Sequence, residues 1–349
     1  VRLNLVRLRS CLFKLPAAQS RPGAPRIWVW MVFALLPVHA GDAVFSSNDY
    51  SDVFLPIWSY WHRANDTWVA IVSGDQRENQ GISVFRWDED SEPVLLKKSS
   101  AREGIFNVRG SALSPSGSRL LIRGFTNPVL FELNVENPTR FRRAFLLELS
   151  EAFLFWDEQR ILSGAKFPEV GFKVYGKGNL TIPQIETIHG QLPKKLNHPV
   201  EPFYYKNIMH LAKHDRNVAV AFGLHEVVTV WDGKRKRGYT IGFPGYVKPP
   251  WKKPRNLKAL KAWFQRFHHL FHLTWFRGEL YAMFRHGYAD LGVWVRFEGM
   301  GCRKVWDNNE SDVRIFAMER DGLILGEKIV DNEEEVRWRL WQASSLPSL

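Results

Sequence analysis

His268, His269 and His272 form the densest set of metal-capable side chains in the sequence. Two histidines four residues apart on a helix could share a metal ion. No HExxH or CxxC pattern and no neighbouring carboxylate accompanies them, so no metal site is assigned and no cofactor is expected. His210, His214 and His225 gather around another segment and read as structural or surface groups. Nucleophile signatures are lacking: there is no G-x-S-x-G elbow and no G-x-x-x-x-G-K-[ST] phosphate loop. The acidic runs Asp88–Asp90 and Glu333–Glu335 sit in polar turns and read as solvated faces. No catalytic residue is assigned. A carboxylate pair drawn from distant segments remains open, because such pairs need not be close in sequence.

Arg77, Asn127, Lys166, His225, His286 and Tyr288 become a site only if the fold gathers them, and a repeat supplies the means. A short apolar strand, a polar turn and a run of β-formers recur six times, at 58–72, 111–124, 152–165, 209–223, 272–286 and 314–328. The turns centre on Asp66, Ser116, Glu158, Arg216, Gly278 and Asp321, a spacing of about 50 residues that suits propeller blades with insertions. A third strand follows each hairpin, at 82–87, 129–134, 171–176, 227–233, 292–298 and 336–342. Five units continue into a fourth strand; the last has only ASSLPSL left. An open edge invites aggregation, so AVFSS at 43–47 is expected to close the ring as outer strand of the last blade. Six copies of one unit favour a propeller over an all-β sandwich. The loops after each first hairpin would then bring the six residues named above to one face, where a protein or small ligand would bind.

In the second copy, Ser114-Pro115-Ser116-Gly117-Ser118-Arg119 precedes Leu120-Leu121-Ile122. This resembles the S-P-D-G-K/R-hydrophobic hairpin of TolB-type six-bladed propellers, with Ser116 in the place of Asp. The resemblance is strong in this blade and degenerate in the other five. It implies the fold and a partner-binding or scaffolding role.

The formal charge of +12 comes from 48 basic and 36 acidic residues. Between 233 and 266 lie eleven Lys and Arg without one Asp or Glu. Leu257, Leu260, Phe264, Phe267 and Phe271 there follow helical spacing. The expectation is a basic helical insertion at about 244–268, between blades four and five, lying on the propeller wall. Its alternative role is to offer Trp251, Lys252, Lys253, Lys258 and Lys261 to an anionic membrane or an acidic partner.

The first 40 residues carry six basic groups and no acid, then an apolar run from Ile27 to Leu36 and Val38-His39-Ala40. This is the pattern of a secretory signal, with a retained anchor or a core strand as alternatives. Export argues against a nucleic-acid partner. Cys302 is the only cysteine beyond the leader, so no intrachain disulfide is expected there.

The sequence thus predicts a signal peptide at 1–40 and an all-β, six-bladed β-propeller at 41–349, closed by an N-terminal strand. It should be a periplasmic or secreted monomer that binds or scaffolds. A hydrolase or lyase at the central channel, or attachment to a membrane surface, is the alternative.

Overall fold

The computed structural model describes residues 43–46, 59–73, 81–89, 91–99, 103, 105, 108–124, 129–146, 152–164, 172–175, 185–188, 209–222, 226–232, 235–249, 259, 262–263, 265–287, 292–332 and 335–347. Its strands pair into six antiparallel four-stranded sheets. After β1 (Ala43–Ser46), the first sheet holds β2 (Ser59–Ala64), β3 (Thr67–Ser73), β4 (Ile82–Asp88) and β5 (Val94–Lys98). The second holds β6 (Val108–Leu113), β7 (Arg119–Gly124), β8 (Val129–Asn134) and β9 (Arg142–Leu146). In the third are β10 (Phe153–Phe155), β11 (Ile161–Gly164), β12 (Phe172–Tyr175) and β13 (Ile185–Ile188). The fourth has β14 (Met209–His214), β15 (Asn217–Phe222), β16 (Val227–Trp231) and β17 (Lys236–Thr240). The fifth has β18 (His268–Phe276), β19 (Glu279–His286), β20 (Val293–Glu298) and β21 (Gly301–Asp307). The last joins β22 (Val313–Glu319), β23 (Gly322–Asn332) and β24 (Glu335–Ala343) to β1.

This is a β-propeller. Five blades are runs of four consecutive strands, where the sequence led to an expectation of six blades. The sixth sheet is composite: β1 lies antiparallel to β24, with Ala43 opposite Leu340 and Ser46 opposite Arg337. That pairing is the one anticipated for 43–47, and it covers the edge of β24.

Burial explains why period-two alternation is weak in this sequence. Six apolar clusters lie between neighbouring sheets, so a blade is covered on both faces. Second and third strands are therefore nearly all apolar: Leu120, Leu121 and Ile122 on β7 are wholly buried, as are Trp294 and Val295 on β20. Outer strands are wet. All of Lys236, Arg237, Gly238 and Thr240 on β17 are exposed, and so are Val94 and Leu95 on β5. Between the last and first sheets, Trp61, Trp68 and Trp87 pack with Phe316 and Trp338. Trp61 meets Trp68 edge-on at 6.4 Å.

All six turn centres fall between a first and a second strand. Four of these turns have two residues and put the first at positive φ: Asn65, Asp215, Arg277 and Arg320. Asn and Asp tolerate this region, whereas an Arg does so at a cost of roughly 1–2 kcal/mol. In the Ser114–Ser118 turn, Gly117 takes φ +81° and its N–H donates to the Ser114 carbonyl at 2.9 Å. The carboxylate that Ser116 lacks comes from the next turn. Glu158 accepts from the Ser116 N–H at 2.5 Å and from its hydroxyl at 3.0 Å.

The helical insertion meets a different arrangement. No helix stands among the described elements, although Ala259, Ala262 and Trp263 have helical backbone. Residues 250–258, 260, 261 and 264 lie outside the described residues, among them Trp251, Lys252, Lys253, Lys258 and Lys261. The proposed apolar stripe does not run through as one helix: Phe271 is on β18, and Phe267 is wholly buried against Trp263 at 4.4 Å. Residues 243–248 instead tie back to β18. Val247 donates to His268 Nδ1 at 3.0 Å and accepts from the His268 N–H at 2.8 Å. At the start of the basic stretch, Arg235 lies in the turn before β17, its N–H donating to Asp232, and Lys236 and Arg237 open that strand. Residues 1–40, where a signal peptide is expected, lie outside the described residues, and among those described no helix is long and apolar enough to cross a membrane.

Candidate functional site

First strands touch in succession, β2 to β6, β10, β14, β18 and β22, and β22 returns to β2. They line a central channel, and their sequences carry polar side chains among apolar ones. His62 is on β2, Ser111 on β6, His210 on β14, His269 and His272 on β18, and Glu319 on β22.

Three of these strands contain an extra residue. The register shifts between Val108 and Gly110 on β6, between Leu270 and His272 on β18, and between Ile315 and Ala317 on β22. A bulge swaps which face the following side chains take. Each of these precedes a polar residue: Ser111, His272 and Glu319.

At the end nearest the two-residue turns, His62 Nε2 lies 2.7 Å from Ser111 Oγ. Its Nδ1 faces Glu319 Oε2 at 3.6 Å. The same carboxylate oxygen accepts from the Arg63 N–H at 3.3 Å. Arg63 is buried beside Trp68 and donates through Nε to Asp321 at 2.8 Å, fastening the first sheet to the last. Gly322 leaves the necessary space, since a Cβ there would stand 2.4 Å from the guanidinium. Arg320 passes over this mouth, donating to the Pro115 carbonyl at 3.4 Å.

Further from the turns, the first strands carry three more half-buried histidines. His210 bonds the backbone of Leu270, and burial with neighbouring His272 lowers its pKa to about 3. Burial, with Arg285 and His210 close by, takes His269 down to about 3. His272, against Trp294 and near Glu319, is lowered to about 4, chiefly by burial. These three imidazoles are neutral at pH 7. His268 is lowered too, by burial and by His286, whose ring centroid is 4.9 Å away.

The HHxxH histidines therefore sit on a strand instead of a helix end, and they face different neighbours. Among the described residues, no group of three or more His, Cys, Asp or Glu is arranged to hold a metal. Of the six ligand candidates from the blade loops, His286 closes β19 and is exposed. Arg77, Asn127, Lys166, His225 and Tyr288 lie outside the described residues. His62, Ser111 and Glu319 were not singled out in the sequence. The available signal was a polar residue in an apolar first strand two places before its end, shared by His62 and Ser111.

No family model and no curated protein sequence matches this chain. Solved structures do. A Bacteroides fragilis protein designated as exported aligns over 88% of this chain and 97% of its own, with TM-score 0.54 and 9% identity. The β-propeller domain of Myceliophteria thermophila Cps50 aligns over 87% and 100% at TM-score 0.44 and 8% identity. Pyrococcus horikoshii acylaminoacyl peptidase aligns over 81% of this chain and 51% of its own, at TM-score 0.43 and 9% identity. At such identity the likeness is one of fold alone, and the fold is the β-propeller.

Proposed function

We propose that this chain is an exported, TolB-like β-propeller that binds a neutral, hydrogen-bonding ligand, a peptide or a sugar, at the turn-side mouth of its channel. In this reading the composite sheet serves as sixth blade and closes the ring. The observation that carries it is the polar set on first strands whose neighbours are apolar. Polar groups in such a place cost free energy unless they find partners. The His62 ring nitrogens, the Ser111 hydroxyl and the Glu319 carboxylate together offer donors and acceptors suited to amides and hydroxyls. Export rests on the leader pattern at 1–40.

A thermal-shift panel of tripeptides and hexoses on the mature chain tests the binding. A ligand at a hundred times its Kd stabilises by about 2.7 kcal/mol. A class that raises the Tm of the wild type and not of Ser111→Leu supports the reading; a panel that shifts neither, or both alike, sinks it. Export is checked separately by fusing residues 1–40 to a phosphatase that folds only outside the cytoplasm.

A further inference from the structure

Among the channel groups, Ser111, His62 and Glu319 stand in a particular order. One ring nitrogen of His62 faces a hydroxyl at 2.7 Å and the other faces a carboxylate at 3.6 Å. The three come from the first strands of three neighbouring sheets, β6, β2 and β22. From the geometry we infer that Ser111 is a nucleophile for acyl transfer, with His62 as its base and Glu319 as the group that orients the imidazole.

A serine hydroxyl is a weak nucleophile until an adjacent base can take its proton. For that, Nδ1 must carry the hydrogen, and a carboxylate on the Nδ1 side selects this tautomer. Glu319 is itself held by the Arg63 N–H, and the bulge before Ala317 sets the face from which it projects. The bulge before Gly110 does the same for Ser111. The side chains of His62 and Glu319 keep 15% and 27% of their surface exposed, so a small acyl group can reach the site.

The substrate class is a carboxylic ester. Ser111 Oγ attacks the carbonyl carbon while His62 Nε2 takes the hydroxyl proton. The bond to the alcohol oxygen then breaks, and His62 returns the proton to that oxygen. Water, deprotonated by the same nitrogen, attacks the acyl-serine carbonyl; the acyl–Oγ bond breaks, His62 returns the proton to Ser111 Oγ, and the acid leaves. No oxidant or cofactor enters the balance.

This inference uses the mouth of the binding proposal but needs none of its ligands, so each can fail without the other. The test is reaction of the mature chain with a fluorophosphonate probe, read by mass spectrometry at Ser111, beside hydrolysis of p-nitrophenyl acetate. Ser111 should be labelled, and His62→Ala should slow labelling at least a hundredfold while the chain still melts cooperatively. Glu319→Gln, which preserves shape, should slow it about tenfold and guards against misfolding of the first variant. The pH profile should rise with deprotonation of one group. Absence of label in the folded wild type, label on other serines only, or equal rates in wild type and both variants would overturn the proposal.

Discussion

The channel has two ends built from the same six strands, and they treat polar groups in opposite ways. On the turn side, His62, Ser111 and Glu319 keep solvent contact and meet one another. Further from the turns, His210 and His269 are half-buried and held uncharged. The difference teaches that a propeller channel is not uniformly a site. One end uses histidine as a neutral packing group with a hydrogen bond, and the other leaves histidine beside an acid and a hydroxyl. Predictions that separate the ends should therefore separate stability from chemistry.

Introducing a fixed charge gives the largest contrast. His210→Lys buries an ammonium where His210 Nε2 has no hydrogen-bond partner, and removes the bond to the Leu270 backbone. An uncompensated buried charge costs roughly 3–5 kcal/mol. His62→Lys also loses a hydrogen bond, to Ser111, but sets its charge beside Glu319 and should cost less. Urea unfolding of the two variants measures this, and equal losses would break the contrast.

Acidification comes next. His210, His269 and His272 have folded pKa values below their unfolded value of 6.5. Their neutral forms favour the fold, so their contribution is complete above about pH 6.5 and is lost as pH falls toward 4 and then 3. Each proton contributes a slope of about 1.4 kcal/mol per pH unit. Chemical denaturation between pH 7 and pH 4.5 should show falling stability, and His269→Gln should flatten the curve. A curve unchanged by that substitution would show that His269 already charges in the fold.

The fold was more legible in the sequence than this contrast was. Turn centres such as Asp66 and Asp321 mark the hairpins because polar residues gather in two-residue turns, whose first residue, Asn65 or Arg320, takes the positive φ. The closing strand followed from counting: β24 had no successor, and AVFS was the remaining β-former. The histidines misled because spacing of three and four suits a helix, and nothing local announced that β18 begins at His268. Tertiary burial between sheets settled that choice in favour of a strand. The pair of His62 and Ser111 could not be read at all without the first strands side by side, since 49 residues separate them. Counted back from the turns, His62 and Ser111 each stand two places before the end of their strand, whereas Glu319 closes its own, so a fixed offset finds the first pair and misses the third member.

The smallest expected effect on stability falls where the expected effect on chemistry is large. Glu319→Gln keeps the length and the oxygen that accepts from the Arg63 N–H, so the tie between β22 and β2 survives. What it removes is the negative charge facing His62 Nδ1. Glu319 is partly exposed and the distance is 3.6 Å, so water screens the pair and the loss should be about 0.5 kcal/mol or less. With its oxygen kept toward the Arg63 N–H, the amide meets Nδ1 through that same oxygen but without the full charge, so the tautomer with the hydrogen on Nδ1, and the imidazolium that forms when it takes the Ser111 proton, are held less firmly. Urea midpoints should agree between variant and wild type while probe labelling of Ser111 falls. If the midpoint drops sharply and labelling is unchanged, Glu319 is a fastener between the first and last sheets, and the turn-side mouth is built for closure in place of chemistry.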